Sequence, residues 1–214
     1  MAAVDLFKQK HSVAIRLWHW FTVIFMFASL ATVLINSTIL KSRNNADLAA
    51  EELKSSGTII TQEQSRHVAH AFSDIIWNWH KYIGYGLVFL FLSRIIIEFF
   101  QSKEEKVKNR FREARKLFKL DDENKKDYIN YMIAKSTKLV FYFTLFVMAT
   151  TGMALAYEHD FAFLEVRSLH RLIKNIHGIG QYVMYAYIFS HLAGVIWAEV
   201  VHKKGIISGM VNGN

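Results

Sequence analysis

The chain has 214 residues, 52% of them hydrophobic, with a net charge of +8, no proline and no cysteine. That length suits one domain, 1–214, and the lack of cysteine excludes disulfides, iron–sulfur clusters, covalently attached haem and thiol catalysis. The basic residues flank apolar blocks rather than forming a continuous surface, so they point to a membrane surface and no nucleic-acid partner is expected.

Four apolar blocks follow in chain order, at about 13–40, 77–100, 139–157 and 176–201. Each is near the roughly 20 residues that cross a hydrocarbon core. The first is too long for a secretory signal and has no small-residue cleavage site before it ends, so it reads as a span. Absence of proline suits long uninterrupted helices. The predicted fold is an all-α integral membrane four-helix bundle with short amphipathic helices in its loops. Between the first two spans, LAAEELKSS and QEQSRHVAHAFSDI each read as a short helix within a long 36–79 connection. Between the second and third, KVKNRFREARKLFKL reads as a basic amphipathic helix that faces solvent or lipid headgroups.

Charge orients the spans. Residues 101–138 carry twelve Lys/Arg against seven Asp/Glu, whereas 36–79 carry four against five and 158–175 three against three. With Lys8, Lys10 and Arg16 at the start and Lys203 and Lys204 near the end, the positive-inside rule makes both termini and the middle loop cytoplasmic. Trp18, Trp20, Trp77 and Trp79 sit near span ends, as an aromatic belt would.

In the fourth span His177 and His191 lie fourteen residues apart, which returns to nearly the same helix face roughly 21 Å further along. Ionisable side chains inside a span are costly, and two haem irons at two depths would account for both. His80 opens the second span on the outer side and matches His177 in depth. His19 lies just inside the cytoplasmic start of the first span and matches His191. Neutral imidazoles on facing helices suit axial ligation, so these four are the candidate metal ligands. Gly84, Gly178, Gly180 and Gly194 accompany them; glycines offer a bare helix face for a flat macrocycle, or simply close helix packing. Arg94, fourteen residues after His80, and Arg16 are candidates to meet haem propionates at the cytoplasmic level. Arg94 could equally form an i,i+4 pair with Glu98. His170 is the rival outer ligand. His67 and His70 have metal-compatible spacing on a polar segment, and His11, His159 and His202 lie at span edges.

Arg16-Leu17-Trp18-His19-Trp20, His80-Lys81-Tyr82-Ile83-Gly84 with Arg94, Thr151-Gly152, and the pair from His177 to His191 together resemble the bacterial cytochrome b561 and nickel-hydrogenase/formate-dehydrogenase b-type cytochrome superfamily. The resemblance covers all four spans. It implies a di-haem b cytochrome of the bacterial cytoplasmic membrane, in which His19 and His191 ligate the inner of two haem b groups and His80 and His177 the outer one. It further implies exchange of electrons with quinone or quinol and with a redox protein subunit on the outer side. A quinone pocket near the inner haem would take Arg16, Glu98, Lys138 or Glu199 as a polar contact, and no spacing singles one of them out. Hydrogenase-type members would begin the fourth-helix motif with a segment like RSLHR at 167–171, whereas the spacing here selects His177. Two other functions fit the sequence: a self-contained superoxide:quinone oxidoreductase, and a haem-free transporter or assembly factor whose histidines relay protons to intramembrane acids.

Overall fold

The computed structural model describes residues 12–100, 107–120, 125–161, 166–201 and 205–213. Regular structure among them is helical: α1 (Val13–Ser37), α2 (Ser42–Ser55), α3 (Gln62–Phe100), α4 (Val107–Leu120), α5 (Lys125–Ala156), a 3-10 turn at Glu158–Asp160, α6 (Arg167–Val201) and α7 (Ile206–Val211). Four of these, α1, α3, α5 and α6, are long and apolar enough to cross a bilayer. Their side chains mostly point away from protein: only 6% of the most apolar window of α3 or α6 is buried, and 22% of that of α1. So much exposed apolar surface is stable against lipid and not against water. The chain is an all-α, multi-pass membrane protein, as its sequence predicts.

Local chemistry sets the helix ends. Ser12 caps α1, its hydroxyl accepting from the Ile15 N–H and its carbonyl from the Arg16 N–H. Helix α2 closes at Gly57, whose φ of +86° is open to glycine at little cost and which sends its N–H back to the Lys54 carbonyl. Thr61 and Gln64 then form a reciprocal capping box: the Thr61 N–H donates to Gln64 Oε1 at 2.8 Å, and the Gln64 N–H to Thr61 Oγ1 at 3.2 Å. From that cap the helix runs unbroken for 39 residues. The expected short helix over QEQSRHVAHAFSDI and the second span are therefore one element, because neither glycine nor proline interrupts 62–83. Helices α5 and α6 likewise begin upstream of the expected spans.

The basic segment is helical too, but one face of α4 packs on α5 rather than remaining wholly solvated. Ala114 joins Tyr128 and Tyr131 in a buried cluster, with Phe118 and Met132 against it. Ala114 and Phe118 share a face by their i,i+4 spacing, and Arg112, Arg115, Lys116 and Lys119 remain exposed.

Contacts group the chain into two compact units, Thr22–Val88 and the combination of Met1–Phe21 with Phe89–Asn214. Within Thr22–Val88, α1 and α3 run antiparallel. The Phe25 ring lies directly on Gly86, Thr32 meets His80, and Asn36 and Ser73 hydrogen-bond as a buried pair.

Within the second unit, α5 and α6 run antiparallel, with Met148 against Gly180 and Phe141 stacked on Tyr187 at 4.7 Å between centroids. Trp18 is not part of an aromatic belt: it is only 9% exposed and donates its indole N–H to the Leu90 carbonyl at 2.7 Å. A buried indole needs such an acceptor. Trp20, Trp77 and Trp79 are exposed, as belt residues are. The segment after α6 folds back at Gly205, φ +109°, where Glu199 accepts from the Gly205 and Ile207 N–H groups. Trp20 Nε1 and Arg16 Nη1 then bind the Met210 and Val211 carbonyls at 3.2 and 3.1 Å, tying α7 to the start of α1.

Candidate functional site

Two of the four candidate ligands meet within one unit. His19, two turns into α1, and His191, in the second half of α6, have ring centroids 6.3 Å apart with planes at 61°. Two imidazoles binding one metal from opposite sides at ~2 Å per bond place their centroids roughly 6 Å apart. Aromatic packing holds this level. Tyr187, one turn before His191, lies parallel to it within 6° at 5.7 Å, and Phe141 stacks on the other partner of that pair, Tyr187.

The other two candidates belong to different units, and each has a threonine hydroxyl on its Nδ1. Thr32 Oγ1 lies 2.8 Å from His80 Nδ1 in Thr22–Val88. Thr151 Oγ1 lies 2.9 Å from His177 Nδ1 in the second unit. Gly152, next to Thr151, lets the His177 ring approach: a methyl there would stand 3.0 Å from His177 Cε1. The Thr-Gly doublet thus gives the imidazole both a hydroxyl partner and room.

Arg94 is buried, 5% exposed, at the level of the aromatic packing. Its Nε donates to Tyr142 Oη at 3.0 Å and its Nη2 to Glu98 at 2.8 Å, while its guanidinium carbon sits 5.9 Å over the Trp18 ring. The i,i+4 pair with Glu98 is therefore formed. It leaves Nη1 buried with no hydrogen-bond partner, a state that argues for a missing acceptor. Arg16 Nε is in the same condition. Lys138 lies over the Tyr142 ring at 5.8 Å, so it belongs to the same cluster.

The accompanying glycines divide into two kinds. Gly180 is a packing glycine, filled by Met148, as is Gly86 beside Phe25. By contrast, a methyl built on Gly84, Gly178 or Gly194 would meet no atom within 4 Å. Close helix packing does not explain those three, which leave open helix faces beside candidate ligands.

The lower-ranked histidines have other surroundings. His170 Nδ1 is 2.5 Å from Glu158, His159 is 3.4 Å from the same carboxylate, and exposed His67 sits 4.0 Å from Glu63. His70 joins Arg43, Asp47, Gln62 and Arg66 around a polar hollow of about 400 Å³. His11 and His202 lie outside the described residues. A further groove, about 670 Å³ and mainly apolar, runs between α5 and α6 from Met132 and Ser136 to Tyr187 and Ser190. Nothing in the sequence pattern marked either space.

Four apolar spans, and within one unit a pair of facing imidazoles and a buried arginine, are features that a membrane b-type cytochrome requires. A model of the family described as prokaryotic cytochrome b561 matches residues 10–213, and the chain belongs to that family. It is a b-type cytochrome of transmembrane electron transfer, and haem b is its cofactor. Searches of curated proteins and of solved structures each gave no match.

Proposed function

We propose that the chain carries electrons across the bacterial cytoplasmic membrane through two bis-histidine haem sites, linking the quinone pool to a redox protein subunit on the outer side. His19 and His191 hold the cytoplasmic-side haem. His80 and His177, matched in depth by sequence, hold the outer one. When bound, haem supplies a one-electron iron couple; the chain supplies ligation, burial and charge. The observation that carries this reading is the His19–His191 ring pair, separated by 6.3 Å. Arg94 Nη1 and Arg16 Nε, both buried and without acceptors, suit propionates, and the bare faces at Gly84 and Gly194 suit a flat macrocycle.

The same level favours quinone exchange. The apolar groove between α5 and α6 ends at Tyr187, whose ring stacks on His191, with Ser136 and Ser190 as polar contacts for a quinone head. Of the polar groups expected there, Glu199 is engaged by α7 and Glu98 by Arg94. A proton relay would need those acids for its histidines, so this engagement speaks against a haem-free transporter.

The test is reduction of the purified chain in detergent by a short-chain quinol. Quinol should reduce the haem bands of the wild type, and bulk at the groove, as in Ser190→Trp, should slow that reduction while leaving dithionite reduction intact. Haem that quinol cannot reduce would refute the coupling.

One observation favours a second reading, a self-contained superoxide:quinone oxidoreductase. Arg43, Arg66 and His70 line the polar hollow of Thr22–Val88 against the single acid Asp47, which would draw a small anion. Each superoxide oxidised to dioxygen would release one electron toward quinone. Superoxide should then reduce the isolated chain, and Arg43→Ala with Arg66→Ala should slow it; no reduction by superoxide removes this reading.

A further inference from the structure

We propose that Thr32 and Thr151 are positioning residues that fix His80 and His177 as the Nδ1–H tautomer, leaving the Nε2 lone pair for the metal; this rests on the reading of those histidines as ligands.

The argument is a proton inventory. A threonine hydroxyl has one proton and two lone pairs. Thr151 Oγ1 lies 2.6 Å from the Val147 carbonyl, which can only accept, so the hydroxyl proton is committed there. The Met148 carbonyl, at 3.4 Å, is likewise only an acceptor, so the 2.9 Å contact to His177 Nδ1 is a hydrogen bond only if the ring nitrogen donates. Thr32 repeats the arrangement in the other unit: its hydroxyl donates to the Ser29 carbonyl at 2.6 Å and lies 2.8 Å from His80 Nδ1, and His80 itself also hydrogen-bonds to that carbonyl, which again requires a ring N–H. An imidazole protonated on Nδ1 carries its lone pair on Nε2. Ligating histidines ordinarily need a partner of this kind to set tautomer and ring rotation.

Back-bonding alone is common for hydroxyls in helices, and Thr137, Thr144 and Thr150 do the same to their own i−4 carbonyls. What distinguishes Thr32 and Thr151 is that each spends its lone pair on one of the two candidate ligands that the sequence assigns to a single haem. They reach them from different helices, α1 and α5. Gly152 completes the second instance by admitting the ring.

A hydroxyl accepting from Nδ1–H makes the ligand more basic and favours ferric iron. Replacing it with an apolar isostere should therefore raise the midpoint potential of the haem concerned. Potentiometric titration of the purified holoprotein, with low-spin electron paramagnetic resonance on the same samples, reads this effect. Thr151→Val should move one of two midpoints upward by a three- to tenfold change in the one-electron equilibrium, ~30–60 mV at about 59 mV per tenfold, and Thr32→Val, which leaves His80 the Ser29 carbonyl, should move the same midpoint upward by less. They should also shift the g-values of that haem only. Thr151→Ser and Thr32→Ser, which keep the hydroxyl, should restore both. If a valine variant does not accumulate, the alanine variant replaces it. Unmoved midpoints and g-values in haem-replete valine or alanine variants would overturn the proposal, as would serine variants that shift as far as valine. His177→Ala in the same series separates the two levels of inference: full haem content there would sink the ligand reading itself, whereas loss of one haem beside unmoved threonine variants would sink only the role of the hydroxyls.

Discussion

His80 and His177 are held by hydrogen bonds to hydroxyls, whereas His191 is held by the face of an aromatic ring. The two devices constrain different things. A hydroxyl on Nδ1 chooses the tautomer and fixes rotation about the ring axis; a stacked tyrosine fixes only the plane. The stacked level also carries charge, with buried Arg94 and half-buried Lys138 around Tyr142. On the proposed two-haem reading, the potential of iron bound by the hydroxyl-held ligands should follow ligand basicity, and that of iron beside the stacked pair should follow nearby charge.

The largest predicted effect breaks one level and spares the other. His191→Ala or His19→Ala should remove half of the haem absorbance and leave a single midpoint potential, read by pyridine haemochromogen assay and redox titration. Next comes the division among glycines. Gly84→Leu and Gly194→Leu should cost haem while the protein remains folded, since a Cβ at either position meets no neighbouring atom within 4 Å. Gly180→Leu should instead destabilise the fold by ~1–3 kcal/mol through overpacking against Met148; parallel thermal melts and haem counts distinguish the two. Smaller is Arg94→Gln. Loss of a buried positive charge favours ferric iron, so one midpoint should fall by roughly 60 mV, a tenfold change in the one-electron equilibrium. The smallest is Tyr187→Phe, which keeps the stacking ring and should leave the g-values of the stacked-level haem unchanged, whereas Tyr187→Leu should broaden them.

The spans were legible because lipid imposes a length and an apolarity that the chain writes plainly. The start of α3 coincides with the start of the expected QEQSRHVAHAFSDI helix, although the polar composition of 62–76 disguised it as a separate loop helix. The fate of Trp18 was hidden: near a span end an indole reads as interfacial, and only tertiary structure brings the Leu90 carbonyl to it. Glu199 looked like a site group because nothing local announces that six residues later the chain turns at Gly205 and needs a cap. The histidine depths came from helical spacing alone. Thr32, by contrast, is 48 residues from His80, and no periodicity links them. Thr151 stood inside a recognisable doublet whose purpose appears only when His177 is seen against it. Arg94 showed its pair with Glu98 through i,i+4 spacing, but the orphaned Nη1 is a property of the packed state.

Haem stoichiometry per purified chain tests the central claim most directly, in the wild type and in His191→Ala and His177→Ala. Two haem b groups per chain, falling to one in each variant with different midpoints surviving, is the predicted result. One haem in the wild type, or variants that retain two, would contradict the account.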